Sequence, residues 1–151
     1  MPVQPTAPAS LRRILFATDF SSHSERALQY AAAEARRHGA RLLIAHVLAH
    51  DARLAVSFDV LPGVYDEARH EAEIMCRRLE NSGELDGIEH ECLLPTGRLW
   101  PTLCELVRKY KAELIVLGTR GRTNLRDLLI GSTAERVVRE SGCSVLTVPP
   151  G

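Results

Sequence analysis

The sequence lacks an excess of charge of either sign. Its 19 lysine and arginine residues balance 19 aspartate and glutamate residues, so the formal net charge is zero. A chain without net charge creates no global field toward nucleic acid or an anionic membrane, and we expect neither as a partner. Any anion-binding site must therefore be a local feature.

The sequence also gives little support for metal-thiolate chemistry or membrane insertion. The four cysteines form no C-x-x-C pair, and none lies at zinc-ligand spacing from a histidine pair, so we expect reduced, mostly buried thiols. No apolar run approaches the roughly 20 residues that a membrane span needs. Residues 1–10 contain three prolines and no apolar segment. We expect them to be a disordered leader on a cytoplasmic protein, followed by a single domain over residues 11–151.

Several enzyme signatures are missing as well. The chain contains no G-x-x-x-x-G-K-[ST] segment, and no G-x-G-x-x-G follows its first predicted strand. These absences disfavour a P-loop NTPase and a dinucleotide-dependent dehydrogenase. No nucleophile, base and orienting group occur at a recognisable spacing, so we predict no catalytic residue. His46 lies inside a predicted strand and is interpreted as a packed residue.

The chain does contain a regular alternation of strand and helix patterns. Short apolar runs predict strands over residues 11–18, 41–48, 88–94, 113–117 and 143–148, and apolar residues at helical spacing predict four helices between them. A capping box formed by Ser22 and Glu25 marks the start of the first helix, and Gly39 marks its end. Right-handed crossovers then give a doubly wound α/β fold, with a five-stranded parallel sheet in the order 3-2-1-4-5.

This strand order predicts where a ligand binds. Ligands of open α/β sheets lie where the winding reverses, here between strands one and four. Strand one ends at Ala17, Thr18 and Asp19, and strand four ends at Leu117 and Gly118. The Asp19 carboxylate could accept hydrogen bonds from a ribose or hold a divalent cation. It could equally satisfy free amide groups at the start of the next helix, and the sequence leaves both roles open.

The segment after strand four has the glycine spacing of a phosphate-binding loop. Gly118, Gly121 and Gly131 follow the pattern Gly-x2-Gly-x9-Gly-Ser, and glycine lets backbone amide groups approach an anion closely. Arg120 and Arg122 are the candidate phosphate-binding side chains. Ser132 and Glu135 alone would be explained as a capping box, but the loop is longer than the usual 2–6 residues, which indicates a further task.

These features together resemble the universal stress protein family over residues 11–148. The resemblance is carried by the run RILFATDFS at residues 13–21, the strand LLIAHV at residues 42–47, and the glycine pattern ending in Ser132 and Thr133. It implies a Rossmann-like domain that binds ATP with Mg²⁺ or Mn²⁺, commonly as a homodimer, in cells that respond to stress.

The resemblance also implies a role for each site residue. Asp19 would contact the ribose or the metal. Ala17, Thr18 and Val47 would contact the adenosine. The sugar and first phosphates would be contacted by Leu117, Gly118, Arg120 and Gly121. The outer phosphates would be contacted by Gly131, Ser132 and Thr133.

The last strand is the candidate dimer contact. An open apolar edge invites association, and in the family this strand pairs with its symmetry mate. The residues concerned are Val145, Leu146, Thr147 and Val148. Alternatively, Pro149 and Pro150 simply blunt the edge.

The function predicted from the sequence is an ATP-binding, universal-stress-type regulatory module with at most slow hydrolysis. Nucleotide occupancy would modulate its conformation or its binding to a protein partner that the sequence does not identify. One alternative is an ATP-hydrolysing or adenylate-transferring enzyme. The other is a nucleotide-free interaction module that binds a protein through residues 49–63.

Overall fold

The computed structural model describes residues 10–49, 62–119 and 132–151, and strands and helices alternate through these ranges. The strands are β1 (Arg13–Ala17), β2 (Arg41–Ala45), β3 (Leu48–Ala49), β4 (His90–Leu93), β5 (Thr96–Gly97), β6 (Leu114–Gly118) and β7 (Ser144–Val148). The helices are α1 (Ser22–His38), α2 (Pro62–Glu80), α3 (Leu99–Tyr110) and α4 (Ser132–Glu140).

Five of these strands form one parallel sheet in the order β4-β2-β1-β6-β7. Counted along the chain within this sheet, the order is 3-2-1-4-5, which confirms the predicted doubly wound fold. The register places Ala17 beside Ala45 on one side and beside Leu117 on the other. β1 is therefore the central strand, and the winding reverses between β1 and β6.

Apolar side chains cover both faces of the sheet. Ile14, Phe16 and Ile44 pack with α1 on one face, whereas Leu15 and Leu43 pack with α3 and α4 on the other. Burial on both faces explains why these strands are continuous apolar runs. Each such side chain contributes roughly 1.5–3 kcal/mol by leaving water.

The two ends of α1 differ in how well the sequence predicted them. Gly39 ends the helix in the left-handed conformation, with φ at 61°, as predicted. The capping box is wrong, because the N-cap residue is Ser21, which makes no side-chain capping bond, and Ser22 is already helical. The hydroxyl of Ser24 instead donates to the Ser21 carbonyl oxygen at 2.8 Å.

The second predicted strand, residues 41–48, is wrong as a single strand. β2 ends at Ala45, and β3 pairs with β5 in a separate two-stranded parallel sheet. The chain departs from the main sheet at His46, whose amide still donates to the Leu93 carbonyl oxygen at 3.0 Å. Two-residue strands carry no periodicity, so local patterns do not reveal them.

Several predictions concern residues that the structure does not describe. Residues 1–9 of the predicted leader and residues 50–61 of the predicted partner-binding segment lie outside the described ranges. Gly63, at the end of that segment, belongs to α2. None of the helices in the described ranges is both long and apolar enough to cross a membrane.

Candidate functional site

The carboxyl ends of β1 and β6 lie side by side at the point where the winding reverses. Ala17 pairs with Leu117, and the next residues are Thr18, directly after β1, and Gly118, the last residue of β6. The Thr119 amide donates to the Val148 carbonyl oxygen at 3.0 Å, which holds the end of β6 against β7. The sheet thus brings together the two segments that the sequence singled out.

A chain of hydrogen bonds shapes the turn that follows β1. The Phe20 amide donates to Thr18 Oγ1 at 2.9 Å, and Thr18 Oγ1 lies 3.0 Å from Ser24 Oγ. Because the Ser24 hydroxyl proton already goes to the Ser21 carbonyl oxygen, Thr18 is the donor to Ser24. The turn includes a left-handed Phe20, with φ at 58°, a conformation uncommon outside glycine.

Asp19 takes part in this turn through its side chain. Its Oδ1 accepts hydrogen bonds from the Ser21 amide at 2.9 Å and from the Ser21 hydroxyl at 2.5 Å. The carboxylate therefore supports the residue that precedes α1, one of the two roles that the sequence left open. The ligand-binding role of Asp19 stays a prediction.

His46 is a site residue that the sequence analysis treated only as packed. Its Nδ1 lies 2.9 Å from the Thr18 carbonyl oxygen, and its ring centroid is 4.8 Å from that of Phe20, at an interplanar angle of 40°. The imidazole thus joins the end of β2 to the turn after β1. The only sequence signal was a polar residue at the end of an apolar strand.

Val47 and the start of α4 lie on the other side of the sheet from α1. Val47 is buried in the same apolar cluster as Leu117 and Ala134. Ser132 and Thr133 are the first two residues of α4, and Ser132 is exposed. A helix N-terminus attracts anions through its free amide groups and dipole. The described end of the predicted phosphate loop is therefore a helix start, as expected.

A cleft of about 210 Å³ opens beside the turn, between α1 and α2. Phe16, Leu28 and Leu79 supply apolar walls, and Thr18 and Phe20 line it from the turn. One side of the turn is therefore accessible from the α1 and α2 face.

The middle of the predicted phosphate loop is not among the described residues. Arg120, Gly121, Arg122 and Gly131 lie in the range 120–131, and their roles stay predictions. Within the described ranges, no three His, Cys, Asp or Glu side chains form a group that could hold a metal ion.

The fold is that of a doubly wound α/β protein, and the candidate site lies at the switch point of the sheet, where such proteins commonly bind ligands. A model described as the Universal stress protein family matches residues 10–149. A protein of Thermus aquaticus named "Universal stress protein in QAH/OAS sulfhydrylase 3'region" is 37% identical over 145 residues, which cover 91% of this chain and 98% of the relative. The chain belongs to the universal stress protein family.

Solved structures are similar over nearly the whole chain. The universal stress protein UspA from Lactobacillus plantarum has a TM-score of 0.77 and 26% identity, over 93% of this chain and 99% of the other. A universal stress protein in complex with cAMP has a TM-score of 0.68 and 25% identity, over 93% of this chain and 98% of the other.

Proposed function

We propose that this protein binds ATP, together with Mg²⁺ or Mn²⁺, between the carboxyl ends of β1 and β6. The observation that carries the proposal is the pairing of Ala17 with Leu117. This pairing puts the Thr18–Asp19 turn beside the first glycine of the loop, at the switch point where open α/β sheets bind ligands. The cAMP complex of a similar universal stress protein supports an adenine nucleotide as the ligand.

The proposed contacts follow the order of the chain. Asp19 contacts the ribose or the cation. The adenosine is contacted by Ala17, Thr18 and Val47. The sugar and inner phosphates are contacted by Leu117, Gly118, Arg120, Gly121 and Arg122. The outer phosphates are contacted by Gly131, Ser132 and Thr133. The exposure of Ser132 at the start of α4 supports the last of these.

The donors available fit a cation held mainly by the nucleotide. Mg²⁺ keeps several waters and commonly takes one or two carboxylates plus phosphate oxygens, so it needs no dedicated protein cage. Asp19 supplies a carboxylate at this edge of the sheet, and its Oδ1 is already oriented by Ser21. The cation would neutralise phosphate charge.

We further propose that the protein is a cytoplasmic homodimer whose subunit is one domain over residues 11–151. It acts as a regulatory module, and nucleotide occupancy controls its conformation or its binding to a protein partner. Hydrolysis is at most slow, because the chain has no P-loop lysine. Dimerisation is supported by β7, which lies at the edge of the sheet. Edge strands present unpaired backbone groups to a second chain.

Equilibrium dialysis with ATP, AMP and cAMP, with and without Mg²⁺, tests the nucleotide site. We expect ATP to bind, and the double substitution Gly118→Val and Gly131→Val to weaken binding tenfold or more, on the order of one or two charge-assisted hydrogen bonds. Gly63→Val is the matched control, since nothing lies within 4 Å of the added Cβ position. Absence of ATP binding, or equal affinity in the double variant, would contradict the proposal.

Turnover distinguishes a regulatory module from an enzyme. We expect phosphate release from ATP to be very slow in highly purified protein and to change little in Asp19→Asn. A sustained rate that Asp19→Asn abolishes would instead identify an ATP-hydrolysing enzyme.

A further inference from the structure

Cys76 on α2 and Cys92 on β4 face the same layer of the molecule. Cys92 lies opposite Ile44 in the β2–β4 register and packs against the apolar cluster beneath α1 that contains Ile44. Leu79, three residues after Cys76 and on the same side of α2, packs against that cluster as well. The helix and the strand therefore point these two thiols toward each other.

An ion pair between α2 and β4 fixes their relative position: Glu80 Oε1 lies 4.0 Å from His90 Nε2, Cys76 is one helical turn before Glu80, and Cys92 is two residues after His90 on the same strand face. Both cysteines are free, and their side chains are joined by a hydrogen bond. This bond raises the pKa of Cys92 and lowers the pKa of Cys76, because the shared proton stays on Cys92 and stabilises a thiolate at Cys76. Cys76 is the better nucleophile of the two, since the thiolate is the reactive form.

The pair lies at the margin of the sheet. β4 is an edge strand, and Cys92 on it is only partly buried. Cys76 is more deeply buried, with 5% of its surface exposed. Glu80 and His90, whose side chains are 4.0 Å apart, lie on the same helix and strand. Glu80 opposes a negative charge on either sulfur, so an uncharged oxidant reaches this position more readily than an anionic one.

We propose that Cys76 and Cys92 form a modification site at which a small uncharged peroxide converts the two thiols into an intramolecular disulfide that joins α2 to β4.

The reaction balances with one peroxide per pair. With hydrogen peroxide, the Cys76 sulfur attacks one oxygen and the O–O bond breaks. The attacked oxygen stays on Cys76 as a sulfenic acid, and the leaving hydroxide takes up the thiol proton to become water. The Cys92 sulfur then attacks the resulting sulfenic acid, an S–S bond forms, and a second water leaves. The two sulfurs together lose two electrons, and the peroxide gains them. A dithiol reductant reverses the change by thiol–disulfide exchange.

The disulfide would restrain α2 against the sheet. Met75 and Leu79, which flank Cys76 on α2, line the cleft that Thr18 and Phe20 line from the turn after β1. A cross-link between α2 and β4 would also close the intervening chain into a loop and so reduce the entropy of the unfolded state. Oxidation should therefore raise the unfolding temperature.

The test uses the full chain treated with hydrogen peroxide, followed by maleimide labelling of the remaining thiols and peptide mapping by mass spectrometry. We expect loss of two of the four thiols, a peptide that links Cys76 to Cys92, and an unfolding temperature raised by several degrees. The variant Cys104→Ala/Cys143→Ala keeps only the proposed pair and should behave as the wild type does.

Cys92→Ala provides a second readout that does not depend on disulfide formation. Removal of its thiol proton should slow maleimide modification of Cys76 several-fold at neutral pH, whereas Cys104→Ala should leave that rate unchanged. Three results would overturn the proposal: a disulfide involving Cys104 or Cys143, a cross-link only between chains, or survival of both thiols at peroxide concentrations that oxidise free cysteine.

Discussion

The Nδ1 atom of His46 lies 2.9 Å from the backbone carbonyl oxygen of Thr18. This hydrogen bond connects the chain that leaves β2 to the chain that leaves β1, next to the strand ends where we place the nucleotide. The Phe20 ring packs on the same imidazole. His46 is therefore a positioning residue for the turn that contains Asp19.

We predict that His46→Ala destabilises the protein and weakens nucleotide binding. Loss of the hydrogen bond and the ring contact should lower the free energy of unfolding by about 1–3 kcal/mol, measured by urea denaturation. His38→Ala is the control, because His38 Nε2 approaches Glu34 Oε2 at 3.3 Å at the end of α1, away from the turn, and its loss should cost less than about 1 kcal/mol. Equal losses for both variants would show that His46 does not position the turn.

Gly97 lies where a larger residue does not fit. Its φ is 152°, and an added Cβ would clash with Thr102 Oγ1. We expect Gly97→Ala to destabilise the protein by about 1–3 kcal/mol, as measured by thermal or urea unfolding.

Two further variants separate the causes of the Gly97→Ala effect. At Gly39, where φ is 61° and nothing lies within 4 Å of an added Cβ, alanine should cost only the left-handed conformation, roughly 1–2 kcal/mol. Adding Thr102→Ala to Gly97→Ala should restore part of the loss. A lack of any rescue would place the whole effect in the backbone.

The orientation of β7 gives a sharp test of the proposed dimer. Val148 directs its carbonyl oxygen toward β6, where it accepts from the Thr119 amide. Backbone groups alternate direction along a strand, so Leu146 also bonds toward β6 while Thr147 points to the open edge. We expect Thr147→Pro to yield folded monomers in analytical ultracentrifugation.

Leu146→Pro is the contrasting variant, because it removes a bond within the sheet and should lower the unfolding temperature instead. A dimer that persists in Thr147→Pro would show that β7 is not the contact.

Glu113 should make stability depend on acid pH. Its Oε2 accepts from the backbone amides of Arg12, at 2.5 Å, and Arg13, at 3.0 Å, and these bonds lower its pKa. Because the pKa of Glu113 is lower in the folded state than in the unfolded state, where it is about 4.3, the ionised carboxylate stabilises the folded protein above pH 4.3. This stabilisation is lost as the pH falls through the pKa of the folded state. The unfolding free energy should therefore decline with acid below about pH 4.3.

The expected difference is that Glu113→Gln flattens this pH dependence in urea titrations. Glu105→Gln, at an exposed position on α3, should leave it unchanged. Identical profiles for wild type and Glu113→Gln would contradict the prediction.

The order of the main strands was predictable because each is a continuous apolar run between helical patterns. Arg13–Ala17 and Leu114–Gly118 differ from their predicted bounds by only a few residues. The pairing of β3 with β5 was not predictable, since two-residue strands depend on contacts between distant segments. The roles of Thr18 and Ser24 were missed for the same reason, because hydroxyl networks leave no periodic pattern.

The sequence by itself determined the strand and helix order, and its glycine spacing and Asp19 pointed to the candidate site. These properties are local, because they depend on the spacing of apolar residues and on single residues such as glycine and aspartate at turns. Only the tertiary structure decided that His46 holds the Thr18 carbonyl and that Cys76 meets Cys92. Such contacts join residues from different elements, and their distances are set by how helices pack on a sheet, which no local pattern encodes.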